Sequence, residues 1–93
     1  DFYIDLIKKI TAEHYSIKLD DMDAKIRTRE IATARQVAMY LCRELTSISL
    51  PKIGEEFGGR DHTTVMHACD KIKNELKDNA DVEILLKKIR TQP

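Results

Sequence analysis

The sequence predicts an all-α fold, a compact bundle of about six helices in a single domain spanning residues 1–93. Three observations predict it. Apolar residues recur at three- and four-residue steps along several segments, as one face of a helix requires. No segment alternates apolar and polar residues as a half-buried strand would. Capping residues, an early proline and a Gly-Gly pair fall between the periodic segments, where helices start and stop.

Phe2, Tyr3, Leu6, Ile7 and Ile10 mark one face of a first helix, with Asp1 placed to cap it. Leu19-Asp20-Asp21-Met22 suits a short helical turn, its acid pair near the positive end of the turn. Lys25-Ile26-Arg27-Thr28-Arg29 breaks the periodicity and reads as a basic loop. A long helix follows from about Arg29 to Thr46, with a buried stripe of Ile31, Ala34, Ala38, Leu41 and Leu45, joined by Val37 and Cys42. Arg35, Gln36, Met39 and Arg43 share another side of it. Ser49 then caps a short helix whose first turn holds Pro51 and whose apolar face is Leu50, Ile53 and Phe57. Gly58-Gly59 makes a tight turn, since glycine adopts positive φ cheaply. Asp61 caps the next helix, in which Val65, Ala68, Cys69, Ile72 and Leu76 form the buried side. After Lys77-Asp78-Asn79 a last helix, capped by Asp81, carries Val82, Leu85, Leu86 and Ile89.

Composition narrows the function classes. Hydrophobic residues make up 42% and charged residues 34%, the balance of a folded domain. No apolar run is long enough to span a membrane, and the N-terminus lacks the pattern of a signal peptide. The lack of an initiator methionine fits a domain taken from a longer chain. Cys42 and Cys69 lie in helical patterns and read as reduced, buried thiols in a cytoplasmic setting. The formal net charge is zero, but it is segregated. Acids predominate from Asp1 to Asp23, whereas Lys25, Arg27, Arg29, Arg35 and Arg43 face Glu30 alone in the stretch that follows.

The stretch from Ser49 to Lys77 is a short helix, a glycine turn and a longer helix, the helix-turn-helix order. Many helical hairpins share that order without touching DNA. Here Arg60-Asp61-His62-Thr63-Thr64 puts five polar side chains at the start of the second helix, where a recognition helix meets the major groove. His62 is suited to donate to a purine edge, and Thr63 to offer a hydroxyl to a base or phosphate and a methyl to thymine. Thr64 is better placed for phosphate, and the helix N-terminus offers N–H groups to the same partner. Asp61 either caps the helix or reads a cytosine amino group as well. His67 is assigned no role.

The ordered run Ile53-Gly54-Glu55-Glu56-Phe57-Gly58-Gly59-Arg60-Asp61-His62-Thr63-Thr64-Val65-Met66-His67-Ala68 resembles the signature of the bacterial chromosomal replication initiator DnaA family. The run Arg35-Gln36-Val37-Ala38-Met39-Tyr40-Leu41-Cys42-Arg43-Glu44-Leu45-Thr46, then Ser49-Leu50-Pro51, is similar to the same family. The resemblance covers essentially the whole chain, as a C-terminal DNA-binding domain. It implies a Trp-repressor-like helical fold that binds double-stranded DNA at origin boxes, typically TTATNCACA. It implies base contacts from Arg27 in the minor groove, from Asp61, His62 and Thr63 in the major groove, and from Pro51 and Ala68 on thymine methyls. It implies phosphate contacts from Lys25, Arg35, Gln36, Thr64 and Lys71, and Arg43 keeps a basic residue where the family commonly has one. Asp70 stands where some members are basic. The resemblance further implies a monomer with no cofactor of its own, ATP belonging to the full-length protein, and regulatory proteins as possible partners.

Other classes find less support in the sequence, membrane-surface binding among them, since the neutral chain has no basic amphipathic helix. Cys69, His67 and Asp70 are close in sequence, but residues two apart on a helix do not face each other, so catalysis finds no constellation. A zinc site finds neither a CxxC nor an HxxxH pair. A protein-docking module using the acidic first helix is compatible with DNA binding elsewhere on the surface.

Overall fold

In a computed structural model, which describes residues 2–26 and 28–92 and side chains from residue 3 onward, the periodic segments form five α-helices. They are α1 (Phe2–His14), α2 (Arg29–Leu45), α3 (Leu50–Glu56), α4 (His62–Asn74) and α5 (Ala80–Arg90). Two 3-10 turns, Leu19–Met22 and Leu76–Asp78, stand where the sequence suggested a sixth helix and a linker. The expected roles of Asp1, the Phe2 side chain and Arg27 lie outside the described residues.

The long helix α2 runs through the middle, packed on α4, α3 and α1. That position explains its extra burial. Beyond the expected Ala34, Val37, Ala38, Leu41 and Cys42, it buries Met39, Tyr40 and Arg35. Met39, expected on the polar side, is a core residue at 1% exposure, because α2 is covered on more than one side. Ile31 and Leu45, at the two ends, are only half-buried.

On α1 the buried face is Ile4, Ile7, Lys8, Thr11 and Ala12, rotated from the expected stripe. Leu6 and Ile10 are half-buried. The cause is that α1 packs on α2, on the first 3-10 turn and on α5 at once. Helix α5 closes the far side, burying Val82, Leu85 and Ile89. His14 Nε2 meets Asp81 Oδ1 at 2.9 Å and ties the end of α1 to the start of α5. The α5 cap is Asn79, which accepts from Asp81 N at 3.2 Å, rather than Asp81 itself.

Leu76 also departs from expectation, at 40% exposure. Helix α4 ends at Asn74, where Glu75 N turns back to Lys71 O and Ile72 O. The chain has left the helical path one residue before Leu76, so the four-residue step from Ile72 no longer reaches the core.

Candidate nucleic-acid interface

The α3–turn–α4 unit is built by short-range chemistry. Ser49 Oγ accepts from Lys52 N at 3.3 Å and starts α3, with Pro51 in its first turn. Gly58 and Gly59 take φ of +81° and +76°, which reverses the chain. Asp61 Oδ1 accepts from Thr63 N at 2.5 Å and Thr64 N at 3.4 Å, starting α4. These N–H groups, that of Thr63 foremost, hold the exposed Asp61 carboxyl below the usual carboxylate range. Two of the N–H groups that the sequence left for a phosphate are therefore already taken by the cap.

Tertiary packing explains two of the glycines. A Cβ on Gly54 would stand 2.0 Å from the backbone oxygen of Arg60, whose own N–H donates to Gly54 O at 2.9 Å. A Cβ on Gly58 would stand 2.2 Å from Asp23 O. The turn is thus pressed against α3 on one side and against the segment before the basic loop on the other.

His62 and Thr64 are exposed and Thr63 is half-buried, together at the open end of α4 with the exposed Asp61. Beside them run two open grooves of about 300 and 440 Å³. The first, between α2 and α4, is lined by Gln36, Met39, His67, Ala68 and Lys71. The second, toward the loop, is lined by Lys25, Ile26 and the Gly58-Gly59 turn. Arg35, Arg60 and Thr64 line both. Lys71 Nζ donates to Gln36 Oε1 at 3.2 Å, so these two side chains meet across the first groove. Pro51 is exposed at the start of α3, whereas Ala68 keeps only 6% of its surface at the groove floor.

Two expected phosphate ligands are placed differently. Arg35 is 8% exposed. Its Nη2 donates to Ala24 O at 2.8 Å, Ile26 O at 3.1 Å and Asp21 O at 3.2 Å, and its Nε to Met22 O at 3.1 Å. It is buried because α2 carries it under the loop, whose carbonyls have no helical partners. Arg43 lies two turns further along α2, sharing a small cavity with Glu44, Cys69, Asp70 and Lys73. It lines neither of the two grooves.

Sequence reasoning missed Lys8 and misjudged Arg60. Lys8 Nζ reaches Asp23 Oδ1 at 2.6 Å and Glu56 O at 2.5 Å, and sits 4.9 Å from the centre of the Phe57 ring. Its place four residues after Ile4 was the available signal. Arg60, expected to point outward, donates through Nη1 to Phe57 O and through Nη2 to Ala24 O at 2.8 Å. Both cysteines are buried free thiols, and burial pushes Cys42 up to about 12. Among the described residues no three His, Cys, Asp or Glu side chains gather as a metal site, and no helix is long and apolar enough to cross a membrane.

Comparison with known proteins agrees with this geometry. The Symbiobacterium thermophilum chromosomal replication initiator protein DnaA is 52% identical over 90 residues, a match covering 92% of this chain. The chain spans only 20% of that relative's length. A solved crystal structure of a DNA replication initiation factor superposes with a TM-score of 0.84 at 35% identity, covering 94% of this chain and 28% of that one. The family described as bacterial DnaA protein helix-turn-helix matches residues 4–72, which run from the core face of α1 to the last buried residue of α4. The fold is thus that of a shared domain, and the chain belongs to the bacterial DnaA helix-turn-helix family.

Proposed function

We propose that this domain binds double-stranded DNA at TTATNCACA-like boxes of the bacterial origin, in the cytoplasm, and thereby takes part in replication initiation. The observation that carries the reading is the open end of α4, with Asp61 and His62 exposed and Thr63 half-buried, flanked by grooves lined by Lys25 and Lys71. Helix α4 enters the major groove by this end, where side chains reach base edges. His62 and Thr63 read bases, and Pro51 touches a thymine methyl. Asp61 caps α4 through Oδ1 and meets a cytosine amino group through its other oxygen. Ala68, nearly buried, contributes only the methyl it shows at the groove floor. Lys25, Gln36, Thr64 and Lys71 hold phosphates, and Arg27 enters the adjacent minor groove.

The role of Arg35 changes from phosphate ligand to support of the loop, since its donors are spent on carbonyls. Arg43 adds little, because it lines neither groove. The box would be about 30 Å long, matching the 29 Å longest extent of the domain, so one monomer covers one box. ATP and regulatory proteins belong to the longer protein. Fluorescence anisotropy with a TTATCCACA duplex and a shuffled duplex tests the reading. Tight, salt-sensitive binding to the first and weak binding to the second is expected, and equal binding to both would defeat it.

A further inference from the structure

Arg60 immediately precedes the cap of α4, yet its guanidinium turns inward to Phe57 O and Ala24 O. Arg35 reaches Ala24 O from the opposite element, α2. One carbonyl oxygen thus receives two guanidinium groups, each at 2.8 Å. The two cations disfavour one another, and burial with that repulsion lowers the Arg35 pKa. Asp23 and Asp21 offset the repulsion, and the carbonyls of residues 21–26 take the donors. Gly58 adds backbone contact, since its Cα lies directly against Asp23 O. The turn before α4 and the segment before Arg27 are therefore joined by side chain and by backbone.

We infer that Arg60 is a positioning residue, which sets the basic loop at a fixed distance from the N-terminus of α4 so that loop and helix engage one DNA site together. The inference rests on the DNA-binding reading and deepens it. A planar guanidinium reaches two carbonyls at once, while an ammonium supplies the charge without the fork. Arg60→Lys therefore separates positioning from a direct phosphate contact.

The test compares the wild-type domain with Arg60→Lys and Arg60→Gln by amide hydrogen exchange and by DNA titration. Exchange at Ile7, Leu41 and Leu85, each inside a helix, reports the fold in the same samples, at a temperature where these amides stay protected. The amide of Ala24, which donates to Asp20 O at 3.2 Å, is expected to exchange about tenfold faster in both variants. Affinity for the TTATCCACA duplex is expected to fall about tenfold in both. The cost of replacing its A·T-rich end by G·C pairs is expected to shrink, because the loop no longer meets that end. Wild-type binding by Arg60→Lys, or unchanged exchange at Ala24, would overturn the inference. Should the wild type itself fail to prefer the box, the DNA reading fails, and exchange alone still decides whether Arg60 holds the loop.

Discussion

At the scale of single residues, three glycines that look alike in sequence have different reasons to be there. Gly59 needs only its φ of +76°, with open space where a Cβ would go. Gly59→Ala should cost about 1 kcal/mol, the penalty for an L-residue in the left-handed region. Gly58 adds a clash with Asp23 O to the same penalty, so Gly58→Ala should cost more than about 3 kcal/mol. Gly54 is helical, where alanine is favoured by about 1 kcal/mol. The oxygen of Arg60 at 2.0 Å outweighs that preference, and Gly54→Ala should be destabilising by at least about 2 kcal/mol. Urea melts of the three variants check the order, and a neutral Gly54→Ala would show that the turn does not press on α3. His62 and Thr63 sit outside the core, so replacing both with alanine should leave the melting temperature nearly unchanged. Box binding should weaken by about 1–3 kcal/mol per lost base contact, while shuffled DNA binds nearly as before. Unaltered discrimination in that double variant would mean that α4 does not read sequence.

At the scale of elements, the proposed recognition surface and the far side of the core lie on different helices. Helix α5 packs on α1, whereas the two grooves are lined by α2, α4 and the loop. Leu85 is fully buried, so Leu85→Ala should cost about 2–5 kcal/mol. Below the melting transition of the variant, its preference for the box should equal that of the wild type. A changed preference would place α5 in the recognition machinery. The start of α4 depends on pH through its cap. The folded carboxyl of Asp61 is depressed, so its contribution is present above the unfolded value of about 4 and is lost as pH falls through the folded pKa. Asn caps nearly as well without a charge. Thermal melts from neutral to acidic pH should show the wild type losing this contribution, while Asp61→Asn does not. Parallel acid curves for the two proteins would remove the charged cap from the account.

At the scale of the whole molecule, a formally neutral chain becomes a two-sided object. Asp5, Asp20 and Asp23 gather with Leu19 and Lys8 around the α1 side, with Asp23 paired to Lys8, and Lys25, Arg35, Arg60 and Lys71 line the grooves. The number of free cations on the groove side sets the salt dependence. Counting five basic side chains from sequence would give a slope of log K against log salt of about −4 to −5. With Arg35 spent on carbonyls and Arg43 outside both grooves, Lys25, Arg27 and Lys71 are left of the five, and the expected slope is about −3. Titrations at four or five salt concentrations measure it. A slope near zero would exclude phosphate-driven binding, and one near −5 would return Arg35 and Arg43 to the phosphates.

The amino-acid order by itself determined the features whose partners are near in the chain. The helical segments, the Ser49 and Asp61 caps, the Gly58-Gly59 reversal and the signature from Ile53 to Ala68 all depend on neighbours within about one or two turns. Only the tertiary structure decided where the long side chains went. Arg60 reaches across 36 residues to Ala24, and Lys8 across 48 to Glu56. Met39 is buried because α2 happens to lie at the centre. An arginine or lysine of the same local pattern serves a solvated face or a buried carbonyl equally well, since its stem is apolar and its head polar. Which of the two it serves depends on whether packing leaves unpaired backbone oxygens within its reach, and that is a property of the folded chain.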